Sequence, residues 1–145
     1  MDKSGGKRAR YTVLQPHYNM LVRDQYEGAL EDLCVKEGLG VIPYFALASG
    51  FLTGKYRSEA DLKKSPRGGR MKDLLKGRGL DILAGLDRVA AAHGATPAQV
   101  ALAWLMARPS VTAPIASATS VAQFKELAPA ASLKLTAEDM KALDH

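Results

Sequence analysis

Apolar residues along this chain alternate between short unbroken runs and runs at helical spacing. Tyr11-Thr12-Val13-Leu14-Gln15, rich in β-favouring residues and closed by Pro16, predicts a first strand. Asp24 stands three residues before Glu27, the spacing of a capping box. Tyr26, Ala29, Leu30, Leu33 and Cys34 then share one helical face up to Gly38. Cys34 on that face reads as a buried small apolar residue. Val41 to Tyr44, bounded by Gly40 and a glycine-bearing loop, predicts a second strand. Strand, helix and strand at this spacing call for a parallel sheet.

From Gly54 to Gly79 the chain turns polar and predicts a long loop, carrying Lys55, Arg57, Lys63, Lys64, Arg67, Arg70, Lys72, Lys76 and Arg78. Loops of that length in compact domains are often functional lids. A helix follows from about Leu80 to His93, with Leu83, Leu86, Val89 and Ala90 inward and His93 as a helix-end charge. Thr96-Pro97-Ala98-Gln99 is a second capping box, with proline at the first helical position. The next helix is apolar nearly all round, so Trp104 belongs to the core. Val111 to Ala116 predicts a third strand. Ser120 with Gln123 starts a short helix that ends near Pro129, and Thr136 with Asp139 starts the last one. The expected organisation is a polar, basic, mobile tail over residues 1–10 and a single α/β domain over residues 11–145.

Composition narrows the function classes. A complete eight-stranded α/β barrel needs about 250 residues, and this chain has 145, 47% of them hydrophobic. Its net charge of +5 raises nucleic acid as a partner, but aromatics are sparse and no basic stripe is interleaved with them. With Cys34 as the single cysteine there is no intrachain disulfide framework, which suits a reducing cytosol. No apolar leader core and no run of membrane-spanning length occur, so a cytoplasmic protein without membrane or nucleic-acid partners is expected. Metalloprotease, paired-cysteine, nucleophile-elbow and phosphate-loop signatures do not occur.

The densest chemistry lies in Val41-Ile42-Pro43-Tyr44-Phe45-Ala46-Leu47-Ala48-Ser49-Gly50-Phe51-Leu52-Thr53-Gly54-Lys55-Tyr56-Arg57. An aromatic pair at a strand end, glycines that permit close backbone approach, and Lys55 with Arg57 suit a ligand with a flat ring and a phosphate. This stretch resembles the seventh strand and following loop of an aldo-keto reductase, the barrel enzymes that reduce carbonyls with NADPH, and the resemblance runs from about Arg10 to the C-terminus. It implies an α/β fold corresponding to part of a TIM-type (β/α)8 barrel, about three parallel βα units plus extra helices.

Residue roles follow from that resemblance. Gln15, in the run Gln15-Pro16-His17-Tyr18-Asn19, matches the glutamine that hydrogen-bonds the nicotinamide carboxamide, a group needing both a donor and an acceptor. Tyr44 matches the aromatic that stacks on the nicotinamide ring. Phe45, Leu47 and Gly50 match positions lining the pyrophosphate, Lys55 matches a lysine reaching a phosphate, and Arg67 is a further such position. Ser117, Thr119, Gln123 and Glu126 match those that hold the adenosine 2′-phosphate and adenine, and a helix start at Ser120 suits an anion. Phe45 stands where a serine is common, so one hydroxyl contact is lost, and Ser117 stands where many members carry lysine, which bears on preference for the 2′-phosphate.

The family's catalytic Asp, Tyr, Lys and His have no counterpart in the matched stretch; Tyr11, Tyr18, Tyr26 and His17 do not align with them. The expectation is therefore a truncated aldo-keto-reductase-like protein that binds NADP(H) weakly or conditionally and does not reduce carbonyls alone. Three strands cannot close a barrel, so their edges call for cover by self-association or by a complementary barrel half. The alternatives are an oligomerising interaction module with a vestigial cofactor site, or one half of a split NADPH-dependent oxidoreductase.

Overall fold

The structure is a computed structural model that describes residues 9–64 and 68–144. Most of the predicted tail lies outside those residues. Two strands, β1 (Val13–Leu14) and β2 (Gly40–Val41), pair in parallel with Val13 opposite Gly40 and Leu14 opposite Val41. Hydrogen bonds carry the pairing further than the strands themselves. The Gly40, Ile42 and Tyr44 amides donate to the Thr12, Leu14 and Pro16 carbonyls at 2.9, 3.0 and 3.0 Å, and His17 bridges Tyr44.

The predicted third strand, Val111 to Ala116, is reduced to one parallel bridge between Val41 and Val111. Thr112 donates its amide to the Val41 carbonyl at 2.8 Å and Ile115 donates to Pro43 at 2.9 Å. Pro43 and Pro114 have no amide hydrogen to return, and the Val41 amide donates to the Thr112 hydroxyl instead of a strand carbonyl. The result is an open parallel sheet backed by helices, a partial TIM-barrel-like α/β arrangement with β2 in its middle. The carboxyl ends of all three segments share one rim.

Helix α1 (Ala29–Glu37) starts later than its sequence spacing predicts. Gly28, at φ 90°, precedes it and has no side chain to cap with, while Glu27 of the expected box is taken by Arg23 and by the Tyr18 hydroxyl. Cys34 and Tyr26 are buried as expected. Leu30 and Leu33, on the same apolar face, are 37% and 48% exposed. Spacing marks a face as apolar; it does not supply the neighbour that covers it.

The predicted loop between Gly54 and Gly79 contains short 3-10 turns over Glu59–Lys64 and Gly68–Leu75, after another over Ala48–Thr53. Leu62, Met71, Leu74 and Leu75 turn inward there, and the surrounding charge hides them from a reading by polarity. Helix α2 (Arg78–His93) and helix α3 (Pro97–Met106) form the main helical layer. The Thr96–Gln99 capping box is complete, with the Gln99 amide on Thr96 Oγ1 at 3.3 Å and the Thr96 amide on Gln99 Oε1 at 3.0 Å.

Trp104 is fully buried, 5.6 Å from Tyr18, with the Arg108 guanidinium 4.1 Å from its ring centroid and Arg23 5.3 Å away. Its indole N–H donates to Asp144 Oδ1 at 3.0 Å. Helix α4 (Val121–Leu127) and helix α5 (Ala137–Leu143) complete the chain. Asp139 closes the α5 capping box with Thr136 and lies 2.8 Å from His93 Nε2. No helix among the described residues is long and apolar enough to cross a membrane.

Candidate functional site

Tyr44 leaves the sheet at the strand-end rim, and the chain after it turns through a series of left-handed residues. Phe45, Ala48 and Ser49 have φ of 56°, 48° and 56°, followed by Gly50 at 96°. A bulky aromatic at positive φ is an outlier that costs about 1–3 kcal/mol. The Ala48 amide turns back onto the Phe45 carbonyl at 2.7 Å. The same carbonyl accepts from Asn19 Nδ2 at 3.0 Å.

His17, Tyr44 and Phe45 form an aromatic group. The His17 and Tyr44 rings stack at 5.1 Å with 23° between planes, Phe45 stands edge-on to His17 at 5.4 Å, and Tyr44 meets Phe45 at 5.2 Å. His17 thereby occupies one face of Tyr44, while Tyr44 and Phe45 remain 37% and 51% exposed. Offset stacking of such rings contributes about 0.5–1.5 kcal/mol beyond burial.

Lys55 folds over Gly50: a Cβ at position 50 would lie 3.2 Å from Lys55 Nζ, and the φ of 96° there strains an L-residue. Lys55 Nζ also lies 5.1 Å from the Tyr56 ring centroid, and Arg57, the other cation of this stretch, turns to α2. Its guanidinium makes a two-pronged pair with Asp87 at 2.7 Å on each arm and donates to the Gly54 carbonyl at 2.7 Å, tying the loop to α2. Leu47 is half-buried, and its carbonyl accepts the Gly50 amide at 2.8 Å, so that amide is already donated within the loop.

Gln15 is exposed beside Pro16. Ser117, Thr119, Gln123 and Glu126 are all exposed as well. Their segment joins the rim through the Ile115–Pro43 hydrogen bond. Gln123 Oε1 accepts from the Thr119 amide at 2.8 Å and hydroxyl at 3.0 Å, and Ser120 Oγ accepts the Gln123 amide at 3.2 Å. The Glu126 carbonyl accepts from Gln99 Nε2 at 2.6 Å. Arg67 lies outside the described residues. The three strand ends are thus neighbours in register, as a ligand-binding rim of a parallel sheet requires.

The buried phenols behind this rim are held as neutral groups. Burial, then the hydrogen bond to Glu27, pushes Tyr18 well above the ordinary tyrosine range, and burial pushes Tyr26 up to about 12. Neither is poised to give up a proton near neutral pH. No group of three or more potential metal ligands occurs among the described residues. A groove of about 480 Å³ between α2 and α5, lined by Arg78, Ile82, Gly85, Arg88 and Leu143 among others, takes in none of the predicted residues. His17 and Asn19 are the rim residues to which pattern analysis gave no role. The signal for Asn19 was available, since an asparagine inside an aromatic run either caps a turn or is buried with its hydrogen bonds filled.

Comparison with known proteins places this arrangement. The model of the aldo/keto reductase family matches residues 4–145. A probable voltage-gated potassium channel subunit beta of Arabidopsis thaliana is 37% identical over 119 residues, 79% of this chain and 36% of the relative. L-glyceraldehyde 3-phosphate reductase of Escherichia coli (strain K12) is 32% identical over 120 residues, covering 79% of this chain and 35% of that protein. The crystal structure of a thermostable aldo-keto reductase in complex with the inhibitor epalrestat superposes with a TM-score of 0.63 at 30% identity, covering 91% of this chain and 38% of that one. The chain therefore spans well under half the length of these relatives.

Proposed function

The chain belongs to the aldo/keto reductase family, and from that premise we propose that it carries one wall of an NADP(H) site, corresponding to the last three βα units of the family's barrel. In this proposal Gln15 holds the carboxamide, Tyr44 stacks on the nicotinamide, and the Phe45–Gly50 loop with Lys55 takes the pyrophosphate. Ser117, Thr119, Gln123 and Glu126 take the adenosine end. The observation that carries it is Tyr44 itself. Its ring stands at a strand end, backed on one face by His17, beside a left-handed loop where Gly50 and Lys55 lie together.

The residues present fit such a group: an exposed aromatic face, a glycine over which a cation lies, and an exposed amide beside them. When bound, the reduced nicotinamide supplies hydride to a carbonyl carbon. This chain's own residues bind and orient the cofactor, and the proton donor for the carbonyl oxygen comes from polypeptide outside these residues, in the same chain or another. Val13, Leu30 and Leu33, half-exposed beside the β1 edge and on α1, support cover by further polypeptide, whether a second copy or a complementary barrel half.

Tyr44→Ala and Lys55→Ala test this directly. Each is expected to weaken NADPH binding by about tenfold, since each removes about 1.4 kcal/mol of contact, while the far-UV circular dichroism spectrum stays unchanged. Unaltered NADPH affinity in both variants would remove the cofactor proposal and leave an interaction module. Native mass on the same samples reports whether the apolar face is covered by a second copy.

A further inference from the structure

We propose that Asn19 is a positioning residue. Its side-chain amide holds the Tyr44–Phe45 backbone in a left-handed turn and so presents the Tyr44 ring to its ligand. The inference rests on the role of Tyr44 given above, and it assigns the regulation of that ring's pose to a residue that itself touches no ligand.

Asn19 is the chain's single asparagine and is 1% exposed. Its Oδ1 accepts the Leu21 and Val22 amides at 2.9 and 3.1 Å, and its Nδ2 donates to the Phe45 carbonyl at 3.0 Å. The first pair fixes the turn on which Asn19 sits. The third bond reaches across 26 residues to the peptide that follows Phe45. That peptide needs an external hold, because Phe45 at φ 56° is in a region that bulky L-residues avoid.

His17 lies two residues before Asn19, where extended chain places both side chains on one face. The His17 ring packs on Tyr44 while the Asn19 amide takes the Phe45 carbonyl, so one short segment braces both residues of the corner. Only an amide serves at position 19. An aspartate would keep the two accepted bonds but set a carboxylate oxygen against the Phe45 carbonyl, and an aliphatic side chain would take the Asn19 partner away from both the Leu21 amide and the Phe45 carbonyl.

The test is a double-mutant cycle of Asn19→Asp and Phe45→Gly, because glycine adopts positive φ without strain and so makes the clamp redundant. In the wild-type background Asn19→Asp is expected to lower NADPH affinity by about tenfold, the cost of one strained residue expressed as an equilibrium. In the Phe45→Gly background the same change is expected to cost less than about twofold. Equal losses in both backgrounds would overturn the proposal and leave Asn19 a purely structural residue.

Hydrogen exchange of the 46–50 amides reads the same cycle without ligand. Asn19→Asp should speed it only where Phe45 is present, so a protein that fails to bind NADPH removes the cofactor reading while still testing this one. Should Asn19→Asp not fold, the Asn19 side-chain amide protons in the unaltered protein decide the matter. Slow exchange supports the clamp, and exchange as fast as that of an exposed glutamine amide overturns it.

Discussion

Between Tyr44 and Gly54 the backbone is held by groups from outside the segment. Asn19 holds the Phe45 carbonyl, His17 stacks on Tyr44, and Arg57, anchored on Asp87, holds the Gly54 carbonyl. Between Ser117 and Glu126, which belong to the same rim, the side-chain hydrogen bonds run from Thr119 to Gln123 and from Gln123 to Ser120, and Gln99 reaches in to the Glu126 carbonyl. The first segment contains three non-glycine residues at positive φ, the second is exposed throughout. Strain survives where several contacts over-determine the backbone. One half of the candidate site is therefore held from outside itself, while the other is exposed and held by its own side chains.

The most damaging way to break this contrast is from beneath. Trp104→Ala removes the buried ring on which Tyr18, and through it the Gln15–Asn19 segment, rests. It should cost about 3–5 kcal/mol of folding free energy in urea titrations, and exchange in the braced segment should rise more than in 117–126. Gly54→Ala acts on the brace itself. Its φ of 78° strains any L-residue, and the new methyl would meet the Arg57 guanidinium. A loss of about 1–2 kcal/mol is expected from the conformation alone, read as a lower thermal midpoint.

A third handle lies in α5, which packs on α2. The Thr136 backbone amide, then the His93 side chain, hold the Asp139 carboxyl below its ordinary value of 3.8. A depressed carboxyl contributes stability above its unfolded value and loses that contribution as pH falls through the folded one. The unfolding midpoint should therefore fall as pH drops below about 4, and Asp139→Asn should lower stability at neutral pH while flattening that acid slope. The smallest effect belongs to the unbraced side. Gln123→Ala should change stability by no more than about 0.5 kcal/mol, and a larger loss would mean that segment is braced after all.

Much of this was legible before any coordinates. The capping boxes at Thr96 and Thr136 are local chemistry, in which side chain and backbone partner lie three residues apart, and both form as their spacing predicts. Trp104 in an all-apolar helix could go nowhere but the core. The parallel βα order followed from alternating periodicity. What failed depends on partners distant in sequence. Asp24 and Glu27 have the spacing of a cap, yet Arg23 and Tyr18 compete for Glu27 and win. Val111 to Ala116 reads as a strand, yet the prolines on both sides of the pairing leave it a single bridge. The Asn19 clamp spans 26 residues, beyond the reach of any window of spacing.

Hydrogen exchange of the whole protein, with and without millimolar NADPH, tests the central contrast most directly. The Tyr44–Gly54 amides are expected to be protected before ligand and to change little, while the 117–126 amides exchange rapidly alone and slow on adding NADPH. Rapid exchange at Tyr44–Gly54 without ligand, or no response in either segment at saturating NADPH, would contradict it.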